Sequence, residues 1–193
     1  MPSFYGRAII FSAPSGSGKT TLVHHLLASN PDLSFSISVT TREKRSNEVA
    51  DKDYYFITPG EFRQKLQENA FVEWQEVYRD RFYGTLKSEI EQIWAHKKNV
   101  IFDVDVKGGI NLKNYFGDRA LAIFVRPPSL NVLAERLQFR NTDSSDSIKQ
   151  RLEKAEYELK FENLFDVTVV NDDLEQSKRE VQRLYDDFTE AIP

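Results

Sequence analysis

The sequence contains no cysteine among its 193 residues, which excludes disulfides, thiolate metal sites and cysteine nucleophiles and fits a reducing compartment. It has no apolar run of the roughly 18 residues that a bilayer-spanning helix needs, and its opening, MPSFYGRAIIF, lacks the pattern of a secretory signal. A net charge of -4 predicts no broad basic surface for a nucleic-acid backbone. We therefore expect a cytoplasmic protein that binds neither nucleic acid nor membranes.

Glycine and proline are scarce, at 8 and 7 residues, and 40% of the chain is hydrophobic, so neither a disordered nor a fibrous chain is expected. The length suits one domain whose core carries a small inserted lobe. Short apolar runs, each followed by a segment of helical character, predict buried parallel strands. These runs are 7–12, 99–104, 120–125 and 166–170. The predicted fold is therefore α/β, with a parallel sheet flanked by helices.

Between residues 34 and 97 the pattern changes to alternating and aromatic-rich segments, which predict a small β lobe inserted into the core. The strand candidates there are FSISV, DYYFI, AFVEWQEVY and RFYG. Thr58 and Glu61 have the spacing of a capping box, so a helix is expected to run on to about Glu68. The polar stretch RNTDSSDS predicts a mobile lid between two helices. The predicted parts are a core of about 1–33, 98–139 and 148–193, a lobe of about 34–97 and a lid of about 139–147.

Residues 13–20, APSGSGKT, match the phosphate-binding pattern GxxxxGK[ST] except at the first position. They follow an apolar strand and open an amphipathic helix, so backbone N–H groups and the helix N-terminus can converge on phosphate oxygens. Gly16 and Gly18 permit close approach of the backbone, Lys19 supplies charge to the β and γ phosphates, and Thr20 can ligate magnesium. The alternative is a glycine-rich turn that binds nothing.

Two arginines predict a second phosphate site. Arg42 and Arg45 lie three residues apart beside hydroxyl side chains, and Tyr54 follows a few residues later. The guanidinium fork offers two donors to two oxygens, which suits a phosphate dianion. On its own, the string TREKR is equally compatible with a solvated charged loop.

Two carboxylates stand at the end of a predicted core strand. Asp103 and Asp105 lie where parallel α/β sheets collect their ligands. Carboxylates at this edge can hold magnesium through water and orient a phosphate acceptor. The alternative is that they cap a helix or a turn.

These motifs resemble guanylate kinase, and the resemblance covers essentially the whole chain. The strings that carry it are SAPSGSGKTTL, SVTTREKR, EVADKDYYF, FVEW, FYGT, DVDVKG, PPS, RLQFRNTD, QRL and VVNDD, in the order and close to the spacing of that family. The resemblance implies transfer of the γ-phosphoryl group of ATP to GMP, with Mg²⁺, on a P-loop core with a GMP-binding lobe and a lid. Ala13, Lys107 and Asn141 depart from the family pattern.

The resemblance also implies roles for individual residues. ATP is expected to be bound by Ser15, Gly16, Ser17, Gly18, Lys19, Thr20, Thr21 and Asn171, with Mg²⁺ on Thr20 and, through water, Asp103. The expected GMP phosphate ligands are Arg42, Arg45, Tyr54 and Tyr83, and the expected guanine readers are Ser38, Glu73 and Thr85, with Asp103 and Asp105 completing the GMP site. The expected catalytic residues are Lys19, Arg136, Arg140 and Arg151.

The chemistry of guanine supports the expected reader set. Its N1–H and N2–H donors can both be accepted by one carboxylate such as Glu73, whereas its O6 needs a donor such as a hydroxyl. Adenine has no N1–H and carries an amino group where guanine has O6. Taken alone, Glu73 is equally explained as a solubilising residue on an edge strand, Arg151 as a helix-surface residue and Asn171 as part of a turn after a strand.

Two other functions stay open at this stage. A guanylate-kinase-like scaffold domain that binds protein ligands would typically have a degraded phosphate loop, whereas Lys19 and Thr20 are both present here. A P-loop kinase for another nucleoside monophosphate would not easily explain Glu73 together with Ser38 and Thr85. The predicted function is therefore ATP-dependent phosphorylation of GMP.

Overall fold

The computed structural model describes residues 6–46, 48–139 and 145–190 of the chain. The strands in these residues are β1 (Ala8–Ser12), β2 (Leu33–Phe35), β3 (Val39–Thr40), β4 (Tyr55–Phe56), β5 (Phe71–Tyr78), β6 (Arg81–Leu86), β7 (Asn99–Val104), β8 (Ala120–Arg126) and β9 (Val167–Val170). The helices are α1 (Lys19–Ser29), α2 (Pro59–Gln67), α3 (Lys87–Ala95), α4 (Val106–Phe116), α5 (Leu130–Phe139), α6 (Ser145–Leu159) and α7 (Leu174–Glu190).

A five-stranded parallel sheet in the order β2-β7-β1-β8-β9 forms the core. All residues of the central strand β1 are buried. Ile9 and Phe11 pack with α1 and α7 on one face, whereas Ala8 and Ile10 pack with α3 and α4 on the other. Because helices cover both faces, the strand is apolar at successive positions rather than at alternate ones. The predicted α/β class is confirmed.

A second sheet, in the order β4-β3-β6-β5, forms the inserted lobe, with β5 and β6 as an antiparallel pair. Phe62 of α2 packs under this sheet, stacked on Phe71 and Phe82 with ring centroids 4.4 and 5.0 Å apart. The capping box is present, because Thr58 Oγ1 accepts from Glu61 N and the Glu61 carboxylate accepts from Thr58 N. The helix therefore forms where the capping residues predict it.

The segment FSISV, predicted as one strand of the lobe, is divided between the two sheets. β2 pairs with β7 in the core, whereas β3 pairs with β4 and β6 in the lobe. Between them, Ser36 N donates to Ile101 O of β7 at 3.0 Å, so the chain leaves the core only after Ser36. Polar and apolar residues alternate through this crossing, and the pattern therefore does not reveal the change of sheet.

The end of the predicted lobe also differs from the structure. Helix α3 lies within the predicted range 34–97, but its residues Ile90, Ile93 and Trp94 pack on the core sheet. Helices α5 and α6 lie on either side of residues 140–144, and most of the lid predicted over 139–147 falls outside the described residues. None of the helices in the described ranges has both the length and the hydropathy that a bilayer crossing requires.

Candidate functional site

An open cavity of about 510 Å³ lies at the carboxyl ends of the core strands, between the core sheet and the lobe. Parallel α/β sheets bind their ligands at this edge. The predicted site residues in its wall are Ser15, Gly16, Ser17, Gly18, Lys19, Thr20, Thr21, Ser38, Arg45, Tyr54, Glu73, Tyr83, Asp103 and Asp105. The structure thus brings residues of both predicted phosphate sites to the wall of one cavity.

The glycine-rich loop passes from β1 to α1 along one side of the cavity. Gly16 and Gly18 have φ values of 99° and 89°, a left-handed conformation that favours glycine. Gly18 is the N-cap of α1, so the free N–H groups and the partial positive charge of an 11-residue helix begin at the loop. This geometry can bind phosphate oxygens through the backbone.

The first residues of α1 meet the end of β7. Lys19 Nζ donates to one Asp103 carboxylate oxygen and to Val104 O, the latter at 2.8 Å. Thr20 Oγ1 donates to the other Asp103 oxygen at 2.7 Å. A hydroxyl and a carboxylate fit Mg²⁺, which takes oxygen ligands and in kinase sites is held by a few protein groups together with substrate phosphates and water.

Asp105 caps a helix and also lies in the cavity wall. It is the N-cap of α4, and its Oδ1 accepts from Gly108 N at 2.9 Å. Its carbonyl oxygen accepts from Ser12 Oγ at 2.9 Å, which ties the start of α4 to the end of β1. The capping role that the sequence left as an alternative is therefore present.

Arg42 stands behind the cavity wall and is held there by a carboxylate. Its two terminal nitrogens donate to both oxygens of Glu48 at 2.5 and 2.7 Å, and its Nε donates to Tyr83 OH at 3.1 Å. Its guanidinium lies 4.9 Å from the centroid of the Tyr54 ring. The hydrogen bond from Arg42 lowers the pKa of Glu48 to about 2, and Glu48 raises that of Arg42. Arg42 thus orients two tyrosines of the wall, while Arg45 lies in the wall itself.

Glu73 is a buried carboxylate of the cavity wall, with only 8% of the residue exposed. Its Oε1 accepts from Thr85 Oγ1 at 2.9 Å across the β5–β6 pair. Burial raises the pKa of Glu73 to about 7, against the Thr85 hydrogen bond and with help from the charge of Asp105. Donors on a ligand would favour the ionised form. Thr85 is fully buried and reaches the site through Glu73.

The three arginines expected in the lid are compared by their contacts and by their position relative to the cavity wall. Arg136 Nη2 donates to Asn171 O at 3.0 Å. Arg151 is half-buried on α6, and neither Arg136 nor Arg151 is in the cavity wall. Arg140 lies outside the described residues. Of the two that the structure describes, Arg136 and Arg151, neither is brought to the cavity wall.

Asn171 supports the glycine-rich loop from behind. It is 4% exposed, and its Nδ2 donates to Ser17 O at 2.8 Å. Its backbone N donates to Arg126 O, and its carbonyl oxygen accepts from Arg136. A Cβ on Gly18 would collide with the Asn171 amide, so the two residues are closely packed. Asn171 thereby connects the end of β9, the loop and helix α5.

Two residues of α6 in the cavity wall were missed by the sequence analysis. Lys154 and Glu158 form an ion pair at 3.4 Å, and Glu158 is 7% exposed. Burial raises the pKa of Glu158, and Lys154 opposes that effect. Both lie within two turns of Arg151, so the helical period of the charged segment was the signal that could have identified them.

A parallel sheet with a glycine-rich loop after its central strand, sharing one cavity with arginine and tyrosine side chains of an inserted lobe, defines an α/β protein with a candidate phosphate-binding site. The family model for guanylate kinase matches residues 5–187. The chain belongs to the guanylate kinase family, and the resemblance noted in its sequence is confirmed.

Relatives and solved structures agree with this assignment. The guanylate kinase of Porphyromonas gingivalis is 51% identical over 183 residues, covering 94% of this chain and 97% of the relative. That of Bacteroides fragilis is 50% identical over 182 residues, covering 94% and 89%. The crystal structure of guanylate kinase from Anaplasma phagocytophilum superposes with a TM-score of 0.74 at 27% identity, covering 95% and 86%. A shikimate kinase from Bacteroides thetaiotaomicron, at a TM-score of 0.54 and 16% identity, shares the fold alone.

Proposed function

We propose that this protein is a guanylate kinase that transfers the γ-phosphoryl group of ATP to GMP, giving ADP and GDP. The observation that carries the proposal is the buried Glu73 in the wall of the same cavity as the glycine-rich loop and Lys19. A carboxylate in this position can read guanine while the loop holds a triphosphate. Family membership supports the same reaction.

The loop and Lys19 form the ATP side of the proposed site. Backbone N–H groups from Ser15 to Thr21 would hold the β and γ phosphates, and Lys19 would place a positive charge on them. Thr20 and Asp103 would hold Mg²⁺, which in such sites neutralises charge on the phosphates. Asn171 supports this side by fixing the Ser17 carbonyl.

The lobe forms the proposed GMP side. Arg45, Tyr54 and Tyr83 line the cavity and would bind the phosphate of GMP, with Arg42 adding charge and orienting both tyrosines. Ionised Glu73 would accept from N1–H and N2–H of guanine, and Ser38 would donate to O6. Thr85 holds one oxygen of Glu73, which fixes the direction of the carboxylate.

The chemical step needs positioning and charge compensation rather than a general base. An oxygen of the GMP phosphate attacks the γ-phosphorus, the new O–P bond forms, and the bond to the β–γ bridging oxygen breaks to release ADP. A phosphate monoester has a second pKa near 6, so GMP is mostly a dianion at pH 7. Lys19 is assigned to the transferring group. Arg136, Arg140 and Arg151 are assigned to it as well, and the segment over about 139–147, which includes Arg140, would act as a lid.

Two alternatives are not favoured. A scaffold domain without catalysis would have no use for the Lys19–Asp103–Thr20 arrangement beside the loop. A kinase for another monophosphate would not need an acidic group buried at the position of Glu73.

Release of ADP in the presence of ATP, Mg²⁺ and one of GMP, AMP, CMP, UMP or dTMP tests the proposal. GMP is expected to be used best, because sites built on buried hydrogen bonds reject analogues that lack the partner by about 10⁴ to 10⁵. Comparable rates with AMP and GMP would remove the guanine assignment.

A further inference from the structure

A buried glutamate that the proposed chemistry does not use lies where the lobe joins the core. Glu89 is in the first turn of α3 and is 9% exposed. Its Oε1 accepts from Ile37 N at 3.2 Å, and its Oε2 accepts from Tyr55 OH at 3.0 Å. Glutamate is rarely buried to this extent unless it is paired, so these two hydrogen bonds are what keeps it there.

Each partner of Glu89 is adjacent to a residue of the cavity wall. Ile37 precedes Ser38, and Tyr55 follows Tyr54, and both Ser38 and Tyr54 line the cavity. The two segments are also joined to each other, because Tyr55 N donates to Ser38 O at 3.0 Å. One carboxylate therefore holds both chain segments that carry expected GMP ligands.

The place of Glu89 in the fold explains how one side chain reaches both segments. Ser36 N is still bonded to core strand β7, and two residues later the Ser38 carbonyl is bonded within the lobe. The chain returns from the lobe at the junction of β6 and α3, and Ile90 of α3 packs into the core. Glu89 is thus fixed to the core beside both crossings and reaches from there into the lobe.

The hydroxyl of Tyr55 is a dependable donor to Glu89. Burial, followed by the hydrogen bond to Glu89, raises the pKa of Tyr55 to about 12. The phenol therefore keeps its proton throughout the neutral range. Its O–H is thus available as a donor between lobe and core across that range.

We propose that Glu89 is a positioning residue for GMP, fixing Ser38 and Tyr54 relative to the core and hence to the phosphate loop. The inference rests on the GMP kinase function proposed above. Displacement of a bound reactant by about 1 Å can cost about 100-fold in rate, so loosening these segments weakens the use of GMP. The loop that would bind ATP is attached to other elements, and its affinity is unaffected.

The test compares the KM values for GMP and for ATP in variants of Glu89 and Tyr55. Glu89→Ala removes both hydrogen bonds and is expected to raise the KM for GMP about 10-fold, with the KM for ATP within about twofold of wild type. Glu89→Gln restores most of the loss, because its amide oxygen accepts from Ile37 N and its amide nitrogen can donate to the Tyr55 oxygen. Tyr55→Phe gives a smaller rise in the KM for GMP. The double variant Glu89→Ala/Tyr55→Phe has the same KM for GMP as Glu89→Ala alone.

Glu91→Ala, an exposed position on the same helix, is the matched control and is expected to leave both KM values unchanged. Partial unfolding lowers Vmax but not KM, so a merely structural role for Glu89 cannot raise the KM for GMP selectively. An unchanged KM for GMP in Glu89→Ala, or equal rises for both substrates, overturns the proposal. If Glu89→Ala does not fold, Tyr55→Phe tests the proposal instead: a rise in the KM for GMP alone supports it, and an unchanged KM for GMP or equal rises for both substrates overturn it. Wild-type protein that fails to phosphorylate GMP would instead overturn the proposed function.

Discussion

Replacing Glu73 with glutamine perturbs guanine binding and the buried charge of the cavity at the same time. The amide loses the negative charge and points a donor at a donor of guanine. A hydrogen bond to a charged group contributes about 1.5 to 3 kcal/mol, so kcat/KM for GMP is expected to fall by about 10- to 150-fold. The KM for ATP stays near wild type, because Glu73 belongs to β5 of the lobe whereas the loop follows β1 of the core.

The same substitution is expected to stabilise the fold above neutral pH. The pKa of Glu73 rises from its ordinary value of 4.5 to about 7 on folding, so its contribution is fully present below pH 4.5 and is lost as the pH rises through 7. This rise corresponds to about 3 kcal/mol at most. Glutamine cannot ionise and still offers an oxygen to Thr85. Glu73→Gln should therefore have a higher melting temperature than wild type at pH 8.5. At pH 5 this advantage in melting temperature should be smaller or reversed.

Two measurements check this reasoning. The first is thermal unfolding of both proteins at pH 5 and 8.5, with Glu76→Gln on the exposed side of the same strand as control. The second is the pH profile of kcat/KM for GMP, which reports groups of the free enzyme and of free GMP and should fall below about pH 7 in wild type. The variant should keep only the limb that belongs to the GMP phosphate, near pH 6. Identical pH dependences in the two proteins would refute the assignment of a buried, titrating guanine reader.

Three further substitutions test other parts of the structure. Lys19→Ala should lower kcat at least about 100-fold while changing the melting temperature by only a few degrees, and a stopped assay that finds retained turnover would contradict the phosphate-loop assignment. Asn171→Ala should raise the KM for ATP without changing that for GMP, because the Ser17 carbonyl loses its buried donor, and equal rises in both KM values would contradict a local role of Asn171 at the loop. Phe62→Ala should reduce the free energy of unfolding by about 3 to 5 kcal/mol in denaturant titrations, since Phe62 is fully buried between two aromatic rings, and a loss below 1 kcal/mol would contradict that packing.

Local patterns identified the parts of the fold whose determinants lie close together in sequence. The buried strands were predicted from short apolar runs, the glycine-rich loop from a string of eight residues, and α2 from the pair Thr58 and Glu61. The division of FSISV between two sheets was not predictable in this way. It depends on the hydrogen bond from Ser36 to β7, a strand more than 60 residues away in the chain.

The same distinction holds within the candidate site. Many residues that line the cavity belong to recognisable motifs, with Lys154 and Glu158 as exceptions, whereas the contacts that hold wall residues in place are not visible in the sequence. Glu48 matters because it meets Arg42 across a folded loop, and Glu89 because it reaches Ile37 from another element. Such pairings are set by tertiary packing. In the sequence alone, each of the two glutamates is typical of an ordinary surface residue.

Following the labelled γ-phosphate of ATP is the most direct test of the central claim. Wild-type protein is incubated with γ-labelled ATP, GMP and Mg²⁺, and the products are separated and quantified. Transfer predicts that the label appears in GDP, with one ADP formed for each GDP. Label in inorganic phosphate, or no turnover although GMP binds, would contradict phosphoryl transfer to GMP.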